Sequence, residues 1–166
     1  MAKTFFIADT HFGGDRILAY ENRPFDNVQQ MNEALIENWN KTVTDEDIVY
    51  HLGDFCNDGK YEDYLKQLNG HIRLVKGNHD IESNAFYREC GFEEVYDCPI
   101  ILNNFWILSH EPLYVNTHMP YANIFGHVHG SPLYKDFSTQ HFCVSVERID
   151  YTPIAFKEVV ETVQSA

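Results

Sequence analysis

The 166-residue chain predicts an α/β protein of two packed sheets with helices outside, formed as one domain over residues 1–166. Three observations carry that expectation. Short runs of β-branched and aromatic residues bounded by Gly, Asn or Asp recur along the chain and read as buried strands. In the first half they alternate with segments of helical periodicity, whereas the second half is strand-rich. No linker, internal repeat or low-complexity tract separates the halves.

Residues 4–8 form the first apolar run, which stops at Asp9-x-His11. A polar stretch follows through Arg23-Pro24-Phe25. A helix is expected from about Asp26, because Asp26 and Gln29 have capping-box spacing and Val28, Met31, Leu35 and Trp39 recur at helical intervals as a core stripe. Residues 47–52 form a second strand that delivers Gly53-Asp54. Tyr61, Tyr64, Leu65 and Leu68 give a short helix its buried face, and Asn69-Gly70 stops it. A third strand, 71–75, leads to Gly77-Asn78-His79-Asp80, followed by a helix capped by Ser83 and ended by Gly91. Residues 100–102 and 105–108 around Asn103-Asn104 read as a hairpin leading to His110. The run 122–125 ends at Gly126-His127-x-His129, and strand pairing is expected to continue through 142–147. Pro153 suits the first turn of a terminal helix that carries Val159 and Val160.

Composition bounds the partners. At 44% hydrophobic residues the chain is long and apolar enough to bury a core without disulfides or a structural metal. Twelve basic against 25 acidic residues leave a net charge of −13, which repels duplex nucleic acid and anionic membrane surfaces. Bound divalent cations would invert that field locally and still draw a phosphate into one pocket. Only five consecutive apolar or Thr residues lead into Asp9, too few for a signal peptide or membrane span, so a cytoplasmic address is expected. Cys56, Cys90, Cys98 and Cys143 have no Cys-x-x-Cys spacing and read as free, mostly buried thiols. Cys56, two residues past Asp54, could bring a soft sulfur near a metal.

The chemistry lies in five clusters, each placed where an apolar run stops: Asp9-x-His11, Gly53-Asp54, Gly77-Asn78-His79-Asp80, His110 and Gly126-His127-x-His129. Ligands collect at the carboxyl ends of strands in α/β sheets, so the pattern predicts one composite site. Residues two apart in an extended segment face the same way, with Cα atoms about 6.6 Å apart. Asp9 with His11, and His127 with His129, would then converge on one ion or straddle two. Imidazole with carboxylate suits zinc, manganese, iron, cobalt or nickel, and the ligand count favours two ions. Gly53, Gly77 and Gly126 each precede a ligand and would permit the bend that turns it inward. His51, His71, His118 and His141 lie outside the clusters and read as structural or solvent-facing.

These clusters resemble those of the calcineurin-like metallophosphoesterases: Asp-x-His, Gly-Asp, Gly-Asn-His-Asp/Glu, His, then Gly-His-x-His. The resemblance runs from Asp9 to His129, most of the chain, is very specific, and points to the small bacterial and phage single-domain type. It implies a four-layer α/β/β/α sandwich of two packed mixed sheets flanked by helices. It also implies a dinuclear centre in which Asp9, His11 and His129 bind one ion, Asn78, His110 and His127 bind the other, and Asp54 bridges. The implied reaction is hydrolysis of a phosphate ester by a metal-activated hydroxide, with His79 protonating the leaving oxygen or donating to the phosphoryl group. Asp80 could hold the second nitrogen of the His79 ring or cap the following turn. Arg23 lies in a stretch similar to one in the small relatives and could reach a substrate phosphate or form a surface salt bridge. The serine/threonine phosphatase branch carries an Asp where Asn57 stands, so the resemblance does not extend to protein phosphatase activity. Gly14 stands where many small relatives carry a His.

A compact chain with no cap insertion favours diesters, with monoesters open. Two other readings compete with it: a nuclease, which the acidic charge opposes, and a noncatalytic scaffold of the same fold, which the intact ligand set opposes. A purely structural metal site would predict unfolding on chelation.

Overall fold

The computed structural model describes residues 1–166. In chain order it runs β1 Thr4–Ile7, α1 Asp15–Tyr20, α2 Val28–Thr42, β2 Ile48–His51, α3 Tyr61–Leu65, β3 His71–Val75, α4 Asn84–Cys90, β4 Glu94–Tyr96, β5 Ile100–Leu102, β6 Trp106–Ser109, β7 Ala122–Phe125, β8 His141–Cys143, β9 Ile154–Ala155 and α5 Phe156–Gln164. The first sheet has the order β4-β3-β2-β1-β9 and the second β5-β6-β7-β8. Strands β1 to β4 are parallel and β9 antiparallel; β6 to β8 are parallel and β5 antiparallel. The expected α/β sandwich of two mixed sheets with helices is therefore present.

Side-chain alternation decides which face meets which layer. Phe5, Ile7, Val49, Ile72 and Leu74 face a cluster completed by Met31, Leu35 and Trp39 of α2, Tyr61 and Tyr64 of α3, and Tyr87 of α4. Phe6, Ala8, Tyr50, Leu52 and Val75 face the other way, onto Trp106, Leu108, Ile124 and Phe142 of the second sheet. Val159 and Val163 of α5 join this inner core, where α5 runs beside β1, β8 and β9. The outer face of the second sheet is covered by loops. Phe125 and Cys143 pack there on Val128, and the Asn123 side chain bonds the Leu113 amide (2.8 Å) and the Ile107 carbonyl (2.9 Å).

Several elements differ from the sequence expectation for local reasons. Helix α2 is capped by Asn27, whose side chain accepts from the Gln30 amide, one residue later than the expected Asp26–Gln29 box. Helix α1 has six residues, no side-chain cap and no buried residue, so it leaves no periodic signature. Strands β4 and β9 lie at the two edges of the first sheet and have only three and two residues. Pro153 precedes β9 rather than opening the terminal helix, which starts at Phe156. The stretch after β8 leaves the sheet and forms a 3-10 turn at Val146–Arg148. The hairpin expectation holds: Asn103 and Asn104 both have positive φ (52° and 56°), and the Phe105 amide donates to the Leu102 carbonyl as a type I′ turn requires. No helix is long and apolar enough to cross a membrane.

Candidate metal centre

Parallel strands deliver all five clusters to one end of the sandwich. Asp9 follows β1, Asp54 follows β2, Asn78 and His79 follow β3, His110 follows β6, and His127 and His129 follow β7. The turns beyond the strands are tight. Asp9 (φ 61°), His11 (47°), Asp54 (57°), His127 (70°) and His129 (49°) all occupy the left-handed region. The expected extended geometry of Asp9-x-His11 and His127-x-His129 is therefore wrong, and left-handed turns aim these side chains instead. Such a conformation costs about 1–3 kcal/mol per residue and persists only where surroundings over-determine it. Here the Asp9 amide donates to the Gly53 carbonyl (3.0 Å) and the His11 amide to the Asp54 carbonyl (3.0 Å), tying two ligand loops together.

The three glycines act differently from one another. Gly53 takes a positive φ of 97°, as a bend requires. Gly77 and Gly126 have ordinary φ, and there the need is space. A Cβ at Gly77 would overlap the Asp54 carboxylate, and one at Gly126 would lie 2.8 Å from Asp9 Oδ2.

The seven expected ligands form one cluster. Ligand atoms of Asp9, His11 and His129 lie within 4.8 Å of one another, and so do those of Asp54, His110 and His127. Asp54 Oδ2 stands between the trios, 3.7 Å from His11 Nε2 and 3.4 Å from His110 Nε2. Asn78 Oδ1 joins the second trio at 2.9 Å from His110 Nε2 and 3.2 Å from His127 Nδ1.

The chemistry of these atoms fits a cation. Asp9 Oδ1 and His11 Nε2 are buried without any hydrogen-bond partner, a state that costs about 1–3 kcal/mol each. His110 Nδ1 faces the Leu52 carbonyl at 2.7 Å and must donate to it, so in the neutral ring Nε2 is the lone pair. That lone pair confronts Asn78 Oδ1, Asp54 Oδ2 and, at 3.0 Å, His127 Nδ1. Acceptors crowded in this way repel unless a proton or a metal ion sits among them.

The titration behaviour expresses the same crowding. Burial pushes the Asp9 carboxyl up to about 6 against the opposing pull of His129 and His110. Burial lowers His11 to about 4 despite the nearby Asp54 charge. For Asp54 burial acts upward, but the His110 hydrogen bond and the charges of His110 and His11 outweigh it and hold the carboxyl at about 2. His110 is the reciprocal case: burial acts downward, and Asp54 and Asp9 lift it to about 9.

His79 lies exposed at the mouth, its ring 5.6 Å from that of His11 and its amide donating to Asp54 Oδ1 (2.9 Å). Asp80 does not support the His79 ring. It is buried, and its carboxylate accepts from the amides of Asp54 (2.7 Å) and Gly77 (2.8 Å) and from the Tyr61 hydroxyl (3.1 Å), so it holds two ligand loops from beneath. Arg23 is likewise turned inward. Its buried guanidinium pairs with Glu147 at 2.7 Å and donates to the Thr10 and Asp9 carbonyls, so neither a substrate fork nor a surface salt bridge describes it. Cys56 points its thiol at Asp58 (3.3 Å), and burial raises it to about 12. Cys143 is also buried, Cys90 half-buried and Cys98 exposed.

Sequence reasoning missed the residues that hold the ligands. Asn57, noted only as a departure from another branch, receives His11 Nδ1 at 2.7 Å. The Ser145 hydroxyl donates to Asp9 Oδ2 at 2.6 Å. His51, expected to be structural or solvent-facing, is structural: it is fully buried between the Thr10 hydroxyl (2.9 Å) and the Gly53 amide. Thr10 donates to the Phe55 carbonyl, so His51 must supply its Nε2 proton and accept the amide on Nδ1. None of these residues lies in a metal-binding pattern, and no signal in the chain marked them.

A family model described as calcineurin-like phosphoesterase matches residues 2–152. An uncharacterized protein of Methanocaldococcus jannaschii is 35% identical over 99% of this chain and 93% of its own length. A solved structure of a protein of unknown function from Aquifex aeolicus has a TM-score of 0.73 at 27% identity, covering 98% of this chain and 100% of that one. A nuclease from Pseudomonas putida has a TM-score of 0.54 at 25% identity over 76% of this chain, which spans 61% of the nuclease structure.

Proposed function

Because the chain belongs to the calcineurin-like phosphoesterase family, we propose that it is a metal-dependent phosphodiesterase with a dinuclear centre. The observation that carries this is the pair of ligand trios meeting at Asp54, with Asp9 Oδ1 and His11 Nε2 left without protein partners. Asp9, His11 and His129 would hold one divalent ion, Asn78, His110 and His127 the other, and Asp54 both. Manganese, iron, zinc, nickel or cobalt suits this donor set. When bound, such ions neutralise phosphoryl charge and supply an activated water at neutral pH.

The chain's own residues do the rest. Asp80 and the cross-loop amide bonds pre-position the ligand loops, so little reorganisation is needed on loading. His79, free of any side-chain partner and placed over His11, delivers a proton to the departing oxygen. Two clefts open beside the cluster, one touching the ligands Asn78 and His110 and the other holding His79. One, of about 280 Å³, is lined by Lys76, Asn78, Pro99, His110 and Leu113. The other, of about 240 Å³, is lined by Asn57, Tyr61, His79, Ile81 and Phe86. A diester has two organic arms and a monoester one, which is why two clefts favour the diester.

The test is hydrolysis of an aryl phosphate diester and the matching monoester by manganese-loaded protein. Faster turnover of the diester is expected, reduced about 10²–10⁴-fold in His79→Ala with metal content unchanged. Metal uptake without turnover of any phosphate ester would instead establish the scaffold reading. Cleavage of a nucleic-acid strand is the second reading, favoured by the likeness to the Pseudomonas putida nuclease and opposed by the net charge of −13. It predicts turnover of single-stranded DNA that falls steeply with salt.

A further inference from the structure

The ring nitrogens of the clustered histidines are not equivalently supported. His11 directs Nδ1 to the neutral amide oxygen of Asn57 (2.7 Å), and His110 directs Nδ1 to the neutral Leu52 carbonyl (2.7 Å). His129 instead directs Nδ1 to the Glu147 carboxylate at 3.0 Å. That carboxylate is itself gripped: Arg23 reaches the same oxygen with Nε at 2.9 Å and Nη2 at 2.7 Å. Arg23 has no exposed side-chain surface, and its remaining donors take the Thr10 carbonyl (2.9 Å), the Met31 sulfur (3.4 Å) and the Asp9 carbonyl (2.7 Å). One guanidinium thus links the loop carrying Asp9 and His11 to the carboxylate behind His129, across 124 residues of chain.

We infer that Glu147, clamped by Arg23, is a positioning residue for His129. By accepting the Nδ1 proton it selects the tautomer that leaves Nε2 bare for the Asp9–His11 trio. An imidazole that donates to a charged acceptor through one nitrogen is a stronger base at the other, and its ring is held against rotation. In that orientation the ring of His129 stacks on that of His11, with centroids 5.3 Å apart and planes 26° from parallel. A buried Arg–Glu pair contributes little net stability. Its value here lies in fixing geometry, because the same pair constrains two ligand loops at once.

The inference rests on the reading of Asp9, His11 and His129 as a cation site, and the experiment separates the two. In metal-free protein at alkaline pH, nitrogen–proton NMR correlations should show His129 protonated on Nδ1, with a strongly downfield proton. That resonance should move upfield in Glu147→Gln, where the acceptor is neutral, and vanish in Glu147→Ala. Titration with Mn²⁺ should then show one site weakened about 10–100-fold in both variants. Melting curves identify any variant that fails to fold, and the milder Glu147→Gln keeps both measurements available. His129 protonated on Nε2 in the wild type would overturn the inference, leaving Nδ1 bare beside the Glu147 carboxylate. Manganese titrations of both variants superimposing on the wild type would also overturn it. A wild-type protein that takes up no Mn²⁺ would sink the cation-site reading, while the proton resonance would still decide the role of Glu147.

Discussion

The two sheets share an inner core and differ on their outer faces. Helices α1 to α4 cover the first sheet over a continuous cluster of 20 buried residues, whereas loops cover the second over a cluster of three. The loop-covered side also carries exposed apolar groups, among them Tyr114 and Leu133 at 91% and 88% exposure. Both sheets send ligands to the same centre, so the cover is not what places the chemistry. The contrast teaches a division of labour: helices close the larger outer core over the first sheet, and irregular loops close the smaller one over the second.

That contrast can be broken by substitution. Trp39→Ala removes the largest fully buried side chain under the helical cover, along with its indole bond to the Asn69 carbonyl (2.9 Å). A loss of about 3–5 kcal/mol is expected in urea unfolding, and a loss as small as that of a surface change would refute the helical cover as the main store of stability. Asp80→Ala leaves the Asp54 and Gly77 amides and the Tyr61 hydroxyl unpaired. It should cost about 1–3 kcal/mol and also weaken metal uptake. Unchanged uptake would show that the ligand loops hold themselves.

Smaller effects are expected from the second sheet and from the far end of the first. Val128→Ala, under the loop cover, should cost about 1 kcal/mol by thermal melting. At the start of β2, Asp47 accepts from the Lys3 amide (2.7 Å), the Thr44 amide (2.8 Å) and the Thr44 hydroxyl (2.9 Å). The Lys3 and Thr44 amide bonds hold its carboxyl below the ordinary 3.8. Its stabilisation is therefore complete above that value and is lost as pH falls through the lower folded value. Acid unfolding of Asp47→Asn should lack this component, and identical acid profiles would deny it. Leu133→Ser, on the open loop wall, should change stability by no more than about 0.5 kcal/mol. A larger loss would mean that the loop cover contributes to the core after all.

Legibility in the chain followed length and repetition. Helix α2 and its Met31, Leu35 and Trp39 stripe were readable because a period of about 3.6 residues repeats several times over 15 residues. The Asn103-Asn104 turn was readable because few residues tolerate two consecutive left-handed positions. Helix α1 and strands β4 and β9 were not, since each is too short for its own pattern and exists through its neighbours. The cluster of seven metal-type residues was readable as a set. The way its members are aimed was misjudged, because extended spacing was assumed where Asp9, His11, His127 and His129 all turn left-handed.

What the sequence determined by itself is which atoms can bind: the carboxylates, imidazoles and the Asn78 amide stand at the ends of apolar runs, and parallel strands must bring such ends together. What only the tertiary structure decided is how those atoms are held. Asp80 beneath two loops, Asn57 behind His11, and Arg23 with Glu147 behind His129 act on partners up to 124 residues away. A donor's identity is local to its residue. The tautomer, charge and orientation of that donor depend on neighbours that become neighbours only when the chain is folded.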